Sequence, residues 1–94
     1  MDFKPELNEN GGTIYGYRDG EKMAHINLHF DKPGSMVISF VYVNPALRGG
    51  GAGAQMVHEA IELARKEKRQ VRATCSYAAS VLQLRSEKYA DVLA

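Results

Sequence analysis

Four glycines fill five consecutive positions, Gly49-Gly50-Gly51-Ala52-Gly53, directly after Arg48 and directly before a run of helical periodicity. Glycine has more chain entropy to lose on folding than any other residue, so four of them in a plain turn are costly. The cluster makes sense where the backbone must take conformations closed to other residues, or where something must come close to the main chain. Upstream, Met36 to Val43 is β-branched and aromatic on both faces, which predicts a central strand covered on two sides. Downstream, from Ala52 to about Lys68, Met56 or Val57, Ala60, Ile61 and Ala64 fall at helical spacing, with His58, Glu59, Glu62, Arg65 and Lys66 outward. A strand, then Asn44-Pro45, then the glycines, then a helix aims several backbone N–H groups at one point before a helix N-terminus. Orphan amides and the helix dipole favour an anion there. Arg48 adds a permanent positive charge on a planar fork suited to phosphate oxygens.

The rest of the chain sets the frame for that loop. The stretch 12 to 18, bounded by Asn10-Gly11-Gly12 and Asp19-Gly20, reads as a strand between two hairpin corners. From Met23 to Asp31 the residues alternate, Ala24, Ile26, Leu28 and Phe30 on one face and Met23, His25, Asn27 and His29 on the other, which is a half-buried strand. Asp31 to Ser35 is a turn around Pro33-Gly34, and a weaker strand runs from Phe3 to Leu7. After the first helix, Val71 to Cys75 has room only for a short strand, and residues 78 to 93 predict a second helix reaching almost to the last residue. The fold class is therefore α+β: an antiparallel meander of three or four strands, then helix, parallel strand, helix, with residues 1–94 forming a single domain.

Charge and composition exclude several functions. The formal net charge is +1, with Lys and Arg spread along the chain, so nothing marks a nucleic-acid or anionic-membrane surface. Met1 to Pro5 contains no signal-like apolar segment, and no apolar run approaches the roughly 20 residues of a membrane span, so a cytoplasmic protein is expected. Cys75 is the single cysteine, which forbids an intrachain disulfide and fits a reducing compartment.

Three phosphate-binding patterns compete for the loop. A P-loop needs Lys-Ser/Thr after its last glycine, but Gly53 is followed by Ala54-Gln55. A dinucleotide fingerprint can be drawn as Gly49-x-Gly51-x-x-Ala54, yet about 20 residues on, where an acidic ribose ligand belongs, stand Arg69 to Arg72, and hairpins precede the loop. The third pattern, arginine or glutamine, two residues, glycine, one residue, glycine or alanine, fits as Arg48-x-x-Gly51-x-Gly53.

With Val43-Asn44-Pro45-Ala46-Leu47-Arg48-Gly49-Gly50-Gly51 in place, the chain resembles the GNAT superfamily of acyl-CoA-dependent N-acetyltransferases. Cys75-Ser76-Tyr77-Ala78 and Tyr89-Ala90-Asp91-Val92 make it similar, more closely, to a miniature subgroup with a C-S-[FY]-[AV] motif. The resemblance spans about Ile14 to Leu93. It implies acetyl-CoA or coenzyme A as cofactor and an unidentified amine acceptor, small or protein-borne, on a monomer or dimer. It also implies that the strand before the loop and the strand after the first helix splay apart around the pantetheine arm. Backbone groups of Val41, Tyr42 and Val43 would bond that arm, and Arg48, Gly49, Gly50, Gly51, Ala52 and Gly53 would hold the pyrophosphate. Cys75 would end the second strand near the thioester, as nucleophile, orienting group or site of disulfide formation with free coenzyme. Tyr77 would be the acid for the departing thiolate.

Relatives in the subgroup often carry Asp-His where this chain has Ser39-Phe40, neither of which is a general base at neutral pH. That departure supports an alternative, a non-catalytic coenzyme A or acyl-CoA binding or sensing module. Larger members also have two helices between their first strands. Here tight turns stand instead, which leaves the acceptor side open to a flat or protein-borne amine or to a second subunit.

Other residues have plainer readings. Cys75 can be an inert buried small hydrophobe. His25 and His29 stand roughly 13 Å apart along their strand, too far to share one metal, and are expected to be solvated or at an interface. His58 projects from the polar face of its helix into solvent, and Tyr89 closes the core.

Overall fold

The computed structural model describes the whole chain, Met1–Ala94. Four strands come first, β1 (Asp2–Asn8), β2 (Gly11–Arg18), β3 (Glu21–His29) and β4 (Ser35–Val43). A short 3-10 turn (Pro45–Leu47) leads into helix α1 (Ala52–Glu67), strand β5 (Gln70–Ala73) and helix α2 (Ser76–Leu84). The five strands form one sheet in chain order, β1 to β4 antiparallel and β5 parallel to β4. The meander with helix, parallel strand and helix is the α+β arrangement expected.

Local chemistry fixes the corners. Asp19 and Gly20 both have positive φ, 52° and 79°, the left-handed pair that a two-residue hairpin of the twist-matched kind requires between β2 and β3. The helices cover one face of the sheet. Ile14, Ala24, Ile26, Leu28, Met36 and Ile38 from the strands form a continuous core with Met56, Val57, Ala60, Ile61 and Ala64 of α1 and Ala78, Val81 and Leu82 of α2.

A bulge in β4 decides which side chains reach that core. Asn27 pairs with Phe40 while the next residue, Leu28, pairs with Ile38, so Ser39 is an extra residue in β4. An extra residue inverts the alternation of every position that follows. Met36 and Ile38 face the core, as do Val41 and Val43 opposite Ile26 and Ala24, whereas Phe40 and Tyr42 are turned to the other face. There the His25 ring stacks on Tyr42 at 5.3 Å and lies 5.7 Å from Phe40 and 6.2 Å from Tyr15. β4 is thus covered on both faces only over Ser35–Ile38; beyond the bulge Ser39 is exposed and Phe40 is 48% exposed.

The C-terminal third departs from the expected long helix. α2 begins two residues early, at Ser76, and stops at Leu84, with Arg85 leaving helical geometry at φ −112°. The following residues form turns, closed by Tyr89 N–H to Arg85 O at 3.0 Å and Leu93 N–H to Tyr89 O at 3.2 Å. Tertiary contacts override helix propensity here. Tyr89 is fully buried, and Arg65 of α1 reaches across to Asp91 (2.9 and 3.0 Å) and to the carbonyl of Lys88 (2.9 Å). The chain then pairs with β5: Val71 N–H donates to Val92 O and Ala94 N–H to Val71 O. His58 is not simply solvated either, because its Nδ1 lies 3.0 Å from the Tyr89 hydroxyl. The short strand ends at Ala73, so Cys75 lies outside it, as the N-cap residue of α2.

Candidate functional site

β4 and β5 part company at the bulge. Their parallel pairing runs from Ser35 opposite Gln70 to Ile38 opposite Ala73. The Ile38 carbonyl then accepts from both Thr74 N–H (3.0 Å) and Cys75 N–H (3.3 Å), and β5 turns into α2. From Ser39 to Val43, β4 has β3 on one side and no strand on the other. Into that gap opens a cavity of about 450 Å³ between the end of β4, the glycine loop and the first turn of α2.

The loop is built to present amides. Asn44 starts it by capping the 3-10 turn, its side chain accepting from Ala46 N–H at 2.9 Å. Arg48 Nε donates to the Val43 carbonyl at 3.3 Å, which ties the guanidinium to the end of β4 and leaves its outer nitrogens free. Gly49 and Gly51 have φ of 86° and 82°, and Gly51 precedes α1 in the left-handed region with no side-chain cap. A Cβ at either position would meet nothing within 4 Å, so glycine is needed for the backbone conformation, and the space in front of the loop is open. Gly50 has neither constraint.

The backbone amides of Gly49, Gly51, Ala52, Gly53 and Ala54 donate to no protein acceptor. Ala52 and Gly53 are nonetheless buried. Buried N–H groups are almost always paired, so the unpaired donors of Ala52 and Gly53, with those of Gly49, Gly51 and Ala54 beside them, offer an anion a cradle at the start of a 16-residue helix.

The cavity brings together most of the residues singled out from the sequence. Val41, Val43, Arg48, Gly49, Gly51, Ala52, Gly53 and Tyr77 line it. Leu47 lines it too; it stands next to Arg48 in the sequence, but an aliphatic side chain has no chemistry to mark it. Tyr77 is 45% exposed and its hydroxyl sits against Gly53, where a Cβ would come within 2.6 Å. Three expected residues stand apart. The Tyr42 ring is on the opposite face, so only its main chain borders the gap. Gly50 faces a second cavity. Cys75 is half-buried against the core, and its side chain is not among the lining groups.

That second cavity, about 520 Å³, lies on the other side of the loop. Arg18 from the end of β2, Arg48, Gln55 and Gly50 border it, and it shares Leu47, Arg48, Gly51 and Ala52 with the first. Arg18 and Gln55 could not be assigned from sequence, because only the β2–β3 hairpin brings Arg18 to the loop. On the far face of the sheet, burial and then Lys22 hold the His25 imidazole below its ordinary pKa, which favours the neutral ring.

Comparison with known proteins gives one consistent result. Residues 14–92 match the family model described as GCN5-related N-acetyl-transferase. An NMR structure of a GCN5-like protein from Staphylococcus aureus superposes with a TM-score of 0.74 at 26% identity, over 99% of this chain and 87% of that one. A GNAT family acetyltransferase from Elizabethkingia anophelis, solved with acetyl-CoA bound, gives 0.68 at 16% identity over 84% of this chain. The ribosomal-protein-S18-alanine N-acetyltransferase of Escherichia coli gives 0.68 at 14%. The chain spans about half the length of these two, 53% of each. No curated protein matches significantly.

Proposed function

The chain belongs to the GCN5-related N-acetyltransferase family, and on that premise we propose that it is an acetyl-CoA-dependent N-acetyltransferase acting on an amine, with residues 1–94 working as one minimal domain. The observation that carries the proposal is the set of five unpaired amides from Gly49 to Ala54 at the mouth of a cavity bordered by an unpaired strand edge. The cradle fits a pyrophosphate, and the Ser39–Val43 edge fits an amide-bearing arm such as pantetheine. Bound acetyl-CoA would supply a thioester-activated acetyl group.

Each residue of the site has a physical role in this reading. The amides of Gly49 and Gly51 to Ala54 hold the pyrophosphate together with the outer nitrogens of Arg48. Val41 and Val43 present apolar side chains to the arm, and the main chain from Val41 to Val43 supplies its polar contacts. Tyr77 holds a proton at its hydroxyl for the leaving sulfur, from a position on the first turn of α2. Cys75, two residues earlier, is the candidate nucleophile or orienting group. With Cys75-Ser76-Tyr77-Ala78 at the start of α2 we place the chain in the miniature subgroup carrying that motif. The acceptor side is the uncovered face of the sheet beyond the bulge, around Phe40 and Tyr42, which suits a flat or protein-borne amine.

Calorimetric titration of the reduced protein with acetyl-CoA and with coenzyme A tests the cofactor. Micromolar binding weakened by Arg48→Ala is expected, and no binding by the wild type would overturn the proposal. Thiol release above background with a panel of amines tests the reaction. Tight binding with no turnover on any amine would move the protein to the class of coenzyme-binding modules.

A further inference from the structure

The glycine loop has two sides, and each faces a cavity. The first opens toward β4 and α2; the second opens toward the β2–β3 hairpin. Arg48 borders both, and the two cavities share the stretch of loop that carries the unpaired amides of Gly51 and Ala52. No acidic residue borders the second cavity.

The arginines of this chain differ in how they are satisfied. Arg65, Arg69 and Arg72 are each paired with a carboxylate, at 2.9, 2.8 and 2.5 Å. Arg18, Arg48 and Arg85 have no carboxylate partner; of these three, Arg18 and Arg48 border the second cavity, and Arg18 makes no side-chain hydrogen bond at all. These two arginines come from segments 30 residues apart (48 − 18), and both border one cavity beside a phosphate cradle. Two uncompensated planar cations and the Gln55 amide form a site for a doubly charged anion, which a planar fork binds through paired hydrogen bonds.

We propose that the second cavity receives the ribose 3′-phosphate of coenzyme A, with Arg18 as its principal contact and Arg48 bridging it to the pyrophosphate. The inference rests on the coenzyme reading above. It follows from chemistry: coenzyme A carries two anionic groups on one ribose, the 5′-pyrophosphate and the 3′-phosphate, and the loop separates two cavities that share Arg48 along one wall. Arg18 thereby becomes the residue that distinguishes coenzyme A from 3′-dephospho-coenzyme A.

Calorimetry of the full chain with both ligands, on the wild type and on Arg18→Met, tests this. The wild type should bind 3′-dephospho-coenzyme A about tenfold more weakly than coenzyme A, the size of one charge-assisted contact. Arg18→Met should weaken coenzyme A by about the same factor, leave 3′-dephospho-coenzyme A unchanged, and so abolish the preference. Arg18→Lys, which keeps the charge, should retain most of it. Equal wild-type affinity for the two ligands would overturn the assignment while leaving the coenzyme reading intact. Equal weakening of both ligands by Arg18→Met would overturn it too. Failure of the wild type to bind either ligand would overturn both readings together.

Discussion

Gly51 holds φ 82° and ψ 8° at the entrance to α1, where an L-residue meets its own carbonyl and a β-branched one fits worst. Gly51→Val should therefore lower stability by about 1–2 kcal/mol and misdirect the amides behind it, so that coenzyme affinity falls more than stability does. Gly50→Ala, at ordinary φ and with only the Leu47 carbonyl at 3.5 Å, should change neither. Urea midpoints and titrations on the two variants separate the effects, and equal behaviour of the two would contradict the account. Gly53 is constrained differently. A methyl group there meets the Tyr77 hydroxyl and ring, so Gly53→Ala should push Tyr77 out of the cavity and lower turnover with little loss of stability. Tyr77→Phe keeps the ring in place and should lower kcat while leaving KM for acetyl-CoA nearly unchanged, if the hydroxyl proton is what the residue contributes. The glycine cluster and Arg48 were legible because their chemistry is local: a backbone conformation and a charge announce themselves in a few letters. Arg18 was not legible, because a hairpin corner brings it to the loop and no spacing records that.

At the level of elements, periodicity resolved the strands and α1 correctly and failed at two places where tertiary contacts act. The bulge at Ser39 adds one residue, and the alternation read from 36 to 43 cannot reveal on which side of the insertion each side chain falls. The C-terminal segment looked helical through residue 93, but burial of Tyr89 and the grip of Arg65 on Asp91 and Lys88 bend it back onto α1 and β5. Tyr89→Phe removes the partner of His58 and should cost about 1 kcal/mol; Tyr89→Ala should cost about 3–5 kcal/mol, a large share of the stability of a small domain. Both are read from urea unfolding. The Arg65 guanidinium holds the Asp91 carboxyl below the ordinary carboxylate range, and a hydrogen bond to Ser35, then Arg72, does the same for Asp31. A carboxyl whose pKa is lower in the folded state binds fewer protons there than in the unfolded chain around the ordinary value of 3.8. Its stabilisation is present above that pH and is lost as the pH falls through the lowered value. Thermal midpoints of the wild type should thus drop below about pH 4, and Asp91→Asn should start lower at neutral pH and drop less.

For the whole molecule, one core on one face of the sheet leaves few redundancies. The radius of gyration is 12.4 Å, close to the roughly 12 Å of a compact chain of this length, yet only 23 of 94 residues are buried. Two of the 23, Tyr89 and Val92, lie beyond α2. Deleting residues 85–94 should leave the remainder largely unfolded at ambient temperature, judged by loss of a cooperative thermal transition; a cooperative transition in the shortened protein would show that the core stands without its tail.

The sheet has two outer strands, and they are guarded unequally against joining other chains. β1 carries Pro5, which lacks an N–H, between the charged residues Lys4 and Glu6, and such a strand recruits neighbours poorly. β5 has no proline and a single charge, Arg72, already paired with Asp31. Its free margin is closed only where Val71 bonds Val92 and Ala94, a covering held down through the Arg65–Asp91 pair. Acid or an Arg65 substitution that frees this strip would bare Val71 as a template for intermolecular strand addition. Aggregation of this protein should therefore begin at β5, before the core has opened.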